Sequence, residues 1–219
     1  MRLPLFWIFS QRLSASHEAV AHNHYTAQMH RDLFAHADSA GDVTHNLFLG
    51  LLPDEHVRQR MTHEVERLRR THDVRQGRWI KPDRYHLTLH FLGAFSEVPE
   101  ELVARACQGA AEVRMPEFDL VLDRAGHFAQ GVGWLGSART DARLQQLWEE
   151  LRMALTREHV RIQGHAAFKP HVTVLRDARP GLAAGPIEPV VWPVREFALI
   201  DSRLGSRNEY VALQRWSLL

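Results

Sequence analysis

The chain has 219 residues, 45% apolar and 24% charged, with a formal net charge of +1. That balance suits one sizeable soluble domain or two small lobes around a hydrophobic core, and it excludes a protein that coats long nucleic acid by charge alone. No apolar run approaches the roughly 18 residues of a membrane span, and the single cysteine, Cys107, rules out an internal disulfide framework and fits a cytoplasmic setting.

The first residues, Met1 to Ser10, carry a basic residue and a short apolar patch. They lack the long apolar region and small-residue cleavage site of a secretory signal. Residues 1–44 hold five histidines (His17, His22, His24, His30, His36) without zinc-like spacing and without a sustained period. They read as a mobile extension ahead of one domain over 45–219.

From His45 the patterns sharpen. Leu47 to Leu52 is an apolar run of strand length, after which Pro53, Asp54 and Glu55 open a helix. Its buried stripe is Val57, Met61, Val65 and Leu68. Between Arg58 and Arg84 nine Arg/Lys stand against four Asp/Glu, either a solvated face or an anion-attracting rim. A strand over His86–Leu92 and a helix from Val98 to about Val113 follow.

Phe118, Leu120 and Leu122 alternate as a half-buried strand with Val132–Leu135 as partner. Thr140 is the expected cap of a helix whose stripe is Leu144, Leu147, Leu151 and Leu155. His171–Leu175 is another strand, and Pro180–Pro189 a Gly/Pro-rich connector. Two final strands, Val194–Asp201 and Tyr210–Trp216, flank the turn Gly205–Ser206–Arg207–Asn208. This order predicts an α+β fold with mainly antiparallel sheets. No dinucleotide or Walker-type glycine loop is present, which counts against a nucleotide cofactor.

Two segments share one grammar: Tyr85-His86-Leu87-Thr88-Leu89 and Pro170-His171-Val172-Thr173-Val174. On a strand, residues two apart face the same way, so His86 joins Thr88 and His171 joins Thr173. Leu87, Leu89 and Phe91, like Val172 and Val174, then turn toward a core. A third His-x-Thr, at His24–Thr26, lacks strand context and reads as accidental.

These segments resemble the two motifs of the 2H phosphoesterases, and of the LigT-like RNA 2′,3′-cyclic phosphodiesterases among them. The likeness extends to Arg78–Pro82, His90–Gly93, Phe168–Pro170, Leu175–Arg176, Leu47–Leu51 and Ser202–Leu204 with Tyr210, so it spans residues 45–219. It implies a bilobal fold of two antiparallel sheets with flanking helices, related by a pseudo-two-fold axis around a central cleft. It also implies hydrolysis, needing neither metal nor cofactor, of RNA 3′ ends carrying a 2′,3′-cyclic phosphate or of a related small cyclic nucleotide; a monomer is expected. By resemblance His86 is the proton donor and His171 the acceptor. Thr88, Thr173 and Arg176 bind the phosphate, joined by His90, which stands where the family commonly has Lys.

Strict alternation puts Arg176 opposite His171, so it reaches the phosphate only if the strand ends or bulges near Leu175. Tyr85, Phe91 and Phe168 are the aromatic residues expected to stack a base. The competing readings are another cyclic or 2′-5′ phosphodiester on the same machinery, a non-catalytic RNA-end-binding protein, and a metal phosphohydrolase built on His72-Asp73.

Overall fold

Six consecutive residues of the first strand, Asn46 to Leu51, are buried, so the strand is covered on both faces. The structure, a computed structural model, describes residues 43–163, 168–205 and 208–219. The extension expected over residues 1–44 therefore lies outside the described residues, apart from Val43 and Thr44, as does the motif copy at His24–Thr26.

Strand β1 (Thr44–Leu51) leads into helix α1 (Glu55–Thr71), whose Asp54 cap accepts the Val57 N–H at 2.8 Å. The predicted stripe Val57, Met61, Val65 and Leu68 is buried. There follow β2 (Gln76–Trp79), β3 (Leu87–Phe95), α2 (Glu100–Ala110), β4 (Phe118–Phe128) and β5 (Val132–Gly136). Helix α3 (Ala142–Arg157), β6 (Val172–Arg179), β7 (Gly185–Val194), β8 (Glu196–Leu204) and β9 (Glu209–Ser217) complete the order.

The cap of α3 is Asp141 and not Thr140. Its carboxylate accepts from the N–H groups of Arg143 and Leu144 at 2.9 and 3.0 Å, and its charge suits the helix dipole better than a hydroxyl. Two strands were not expected. Short β2 lies within the basic segment, and β7 runs through part of the Gly/Pro-rich connector, where an edge position tolerates proline.

Among the described residues nine strands form one sheet in the order β7-β4-β5-β6-β3-β1-β8-β9, with β2 also on β6, and every pairing is antiparallel. The two expected sheets are its halves. They meet at one paired position, Leu87 with Val172. Helix α1 follows β1 but packs on β7, while α3 follows β5 and packs on β3, so each helix reaches into the other half.

Alternation along β1 feeds two apolar clusters. Leu47, Leu49 and Leu51 join the main core beneath the helices, whereas Phe48 joins Phe91, Ala198 and Ile200 on the opposite face.

The β4–β5 hairpin closes on a 3-10 turn, Ala129–Gly131, that packs on β6. Gly131 has φ +74°, and a Cβ there would lie 2.6 Å from both the N and O of Ala178. Gly131→Ala adds backbone strain to a clash that only movement of β6 relieves, an expected loss of about 2–4 kcal/mol. Urea unfolding checks this; an unchanged midpoint would show that the turn does not brace β6.

Candidate active site

Antiparallel pairing of Leu87 with Val172 sets His86 level with Thr173 and Thr88 level with His171. The two His-Thr segments thus run head to tail at the middle of the sheet. Leu87 and Val172 are fully buried in the main core, so the histidines and threonines stand on the other face.

Both rings obey one rule. The Nδ1–H of His86 donates to the Arg84 carbonyl at 3.0 Å, and that of His171 to the Lys169 carbonyl at 2.7 Å, each two residues earlier. A carbonyl only accepts, so Nδ1 carries the proton and the lone pair of the neutral ring is on Nε2. Burial drives His86 down to about 3 and His171 to about 4, against an ordinary 6.5. The backbone hydrogen bonds partly offset this, and the Arg176 guanidinium adds to it at both rings.

A bulge decides where Arg176 goes. Thr173 pairs with Trp134 but Leu175 already pairs with Gly133, so Val174 is the extra residue. Val174 and Leu175 are both fully buried in the main core, and Arg176 returns to the face of His171. Its register partner in β2 is Arg78. Burial lowers the Arg176 pKa to about 10, with Arg78 and Arg84 adding to the effect and Tyr210 opposing it. It remains a cation at neutral pH.

A second bulge, at Leu89, overturns the expectation for His90. Gly50 pairs with Thr88 and Leu49 with His90, so His90 and Phe91 exchange faces. His90 turns to the helix side, where its Nε2–H donates to the Trp148 carbonyl at 2.8 Å and its ring stacks on Trp148 at 5.2 Å. It does not share the face of His86 and Thr88.

The three aromatic candidates are also misplaced. Tyr85 is buried in the main core, and Phe91 is 2% exposed within the Phe48 cluster. Phe168 stacks on the Trp148 ring, 5.2 Å away, on the helix side. The aromatic rings beside the histidines are others. Phe48 and Tyr210 lie 4.9 and 5.1 Å from His86, and Phe128 lies 4.9 Å from His171 with Trp134 behind it. Arg84 lies over Tyr210 at 4.0 Å. Alternation within β5 marks Trp134, but only the β5–β6 register aims it at Thr173.

His72 and Asp73 are occupied at the end of α1. The His72 ring nitrogen Nδ1 is 3.1 Å from the Leu68 carbonyl, and Asp73 accepts from Arg75 at 3.0 Å. Among the described residues no group of three or more His, Cys, Asp or Glu is placed to hold a metal ion. No helix among them is long and apolar enough to cross a membrane.

Comparison with known proteins points to one family. The family model described as LigT like Phosphoesterase matches residues 51–134. An RNA 2′,3′-cyclic phosphodiesterase of Escherichia coli is 36% identical over 146 residues, spanning 65% of this chain and 80% of that protein. One from Thermotoga maritima is 30% identical over 59% of this chain and 68% of its own length. The crystal structure of E. coli LigT complexed with phosphate superposes with a TM-score of 0.64 at 31% identity, covering 80% of this chain and 98% of that one.

Burial holds His90 near 4 as well. For all three rings the unfolded chain takes up protons first, so their stabilisation is complete above pH 6.5 and is lost as pH falls toward 4. His90→Phe keeps the stack on Trp148 and removes one titrating ring. It should flatten the fall in melting temperature across that window while kcat/KM stays within about threefold. A loss of tenfold or more in kcat/KM, with folding intact, would return His90 to the phosphate.

Proposed function

This chain belongs to the family of LigT-like phosphoesterases, and from that membership we propose that it hydrolyses RNA 2′,3′-cyclic phosphodiester ends to 2′-phosphomonoesters. The observation that carries the mechanism is the head-to-tail pair of His-Thr segments, each imidazole held through Nδ1 by a carbonyl.

Water attacks the phosphorus in line with the departing O3′. His171 takes the proton of the water through Nε2, and His86 delivers one from Nε2 to O3′. Thr88 and Thr173 donate to the non-bridging oxygens, and Arg176 offsets their charge. Each ring then needs one defined protonation state. Neutral His171 is ready as a base, because burial keeps its proton affinity low. His86 starts neutral for the same reason and must be protonated as the substrate arrives. The negative phosphate supplies that drive, since an opposite charge nearby favours the imidazolium. Arg78 and Arg84 extend the positive surface, and half-buried Tyr210, Phe128 and Trp134 offer rings for a base. The proposed setting is a cytoplasmic monomer.

A short RNA ending in a 2′,3′-cyclic phosphate tests the reading. The expected product is a 2′-phosphate, identified by phosphorus NMR, and EDTA leaves the rate unchanged. His86→Ala and His171→Ala should each lose roughly 10²–10⁴-fold in kcat, and Thr88→Val less. A folded variant of either histidine at near-normal rate would remove that ring from the mechanism, and metal-restored activity after EDTA would replace it.

We also propose that residues 45–219 make up the whole phosphodiesterase unit. Strand β1 begins at Thr44 and is covered by its own neighbours β3 and β8. A chain starting at Asp42 should match the full chain in kcat/KM and melting temperature. A clear drop in either would mean that the preceding residues complete the core or the cleft.

A further inference from the structure

The two histidines have different aromatic neighbours. Beside His171 stands Phe128, which has no hydroxyl, whereas beside His86 stands Tyr210, whose hydroxyl oxygen is 3.0 Å from Nδ1. That nitrogen already donates to the Arg84 carbonyl at 3.0 Å, so its N–H is shared between two acceptors.

Tyr210 is itself held on several sides. The Arg84 guanidinium lies 4.0 Å above its ring and donates to the Ser202 hydroxyl at 3.3 Å. Phe48 packs edge-on against the ring at 5.9 Å, and Tyr210 pairs with Ser202 between β9 and β8. One residue, Arg84, therefore contributes its carbonyl to His86 and its side chain to the tyrosine.

We propose that Tyr210 is a positioning residue for the proton donor: its hydroxyl oxygen shares the Nδ1–H of His86 with the Arg84 carbonyl, which aims Nε2–H at the leaving oxygen and favours the protonated ring, and Arg84 clamps the tyrosine in place. The proposal rests on the reading of His86 as donor. Hydrogen bonds from a charged donor are about twice as strong as neutral ones, so a second acceptor at Nδ1 stabilises the imidazolium more than the imidazole. Burial and the charges of Arg176 and Arg84 all oppose protonation of this ring. Tyr210 works against them without adding a charge that would repel the phosphate. Burial also pushes its own pKa up to about 12, so the hydroxyl stays neutral.

The test compares wild type, Tyr210→Phe, Arg84→Gln and His86→Ala on an RNA 2′,3′-cyclic end. The His86 ring is also titrated by NMR with inorganic phosphate bound. Tyr210→Phe keeps the ring and the cation above it, and should lower kcat by about tenfold with KM within about twofold. The His86 titration midpoint should fall by about half a unit to one unit, the size expected of one hydrogen bond. A tyrosine that only packs would alter melting temperature and leave that midpoint alone. Arg84→Gln loosens the clamp but also removes a cation that opposes protonation of His86, so it is read on kcat alone, where a smaller loss is expected; this keeps the idea testable if Tyr210→Phe folds poorly. An unchanged His86 midpoint and kcat in Tyr210→Phe, or an unchanged kcat in a folded Arg84→Gln, overturns the positioning role. Full activity in His86→Ala overturns the donor reading instead, so the two failures are told apart.

Discussion

Four apolar residues cross the middle of the sheet in register: Leu51, Leu87, Val172 and Leu135 on β1, β3, β6 and β5. All four are fully buried in the main core. The row is worth roughly 1.5–3 kcal/mol per side chain removed from water, and its effect on geometry exceeds its effect on stability. A pleated strand cannot bury Leu87 without turning His86 and Thr88 to the opposite face, and Val172 does the same for His171 and Thr173. Because the strands run antiparallel, one hydrophobic row sets the two His-Thr pairs across from each other. The near-symmetry of the site follows from that row.

Electrostatics completes what packing begins. His86 and Arg176 are withdrawn from water and His171 is half-buried, with Arg78 and Arg84 nearby, an arrangement that keeps both rings neutral near pH 7. A bound phosphate reverses the balance, because its charge is opposite to every cation there. Under the proposed mechanism, protonation of His86 is therefore coupled to the binding of a negatively charged substrate. The carbonyls of Arg84 and Lys169 fix which nitrogen carries the proton before any ligand arrives.

The parts of this molecule that obey a period were legible in the sequence. The stripes of α1 and α3, the alternation of β4 and the two His-Thr segments are all where periodicity puts them. What the sequence hid lies where the period breaks. The bulge at Val174 brings Arg176 to the face of the two histidines, and the bulge at Leu89 sends His90 to Trp148, yet no local signal distinguishes Leu89 or Val174 from their apolar neighbours. Tyr85, Phe91 and Phe168 were plausible stacking rings because they flank the motifs in the chain. Phe48, Phe128, Trp134 and Tyr210 flank them in space, through pairings that strand order alone supplies. The strand β7 was concealed by its prolines, which ordinarily argue against a strand.

Those prolines have a meaning beyond concealment. An open sheet of this width ends in two rows of backbone groups able to template another strand, the usual route to edge-to-edge aggregation. Strand β7 forms one such end and carries Pro186, Pro189 and Pro193, three residues without an N–H to offer a newcomer. Arg60 of α1 occupies the Pro189 carbonyl at 3.2 Å, so a helix that began in the other half guards this border as well. The same composition that disguises β7 as a connector makes it a poor template, and lets the sheet stop at β7.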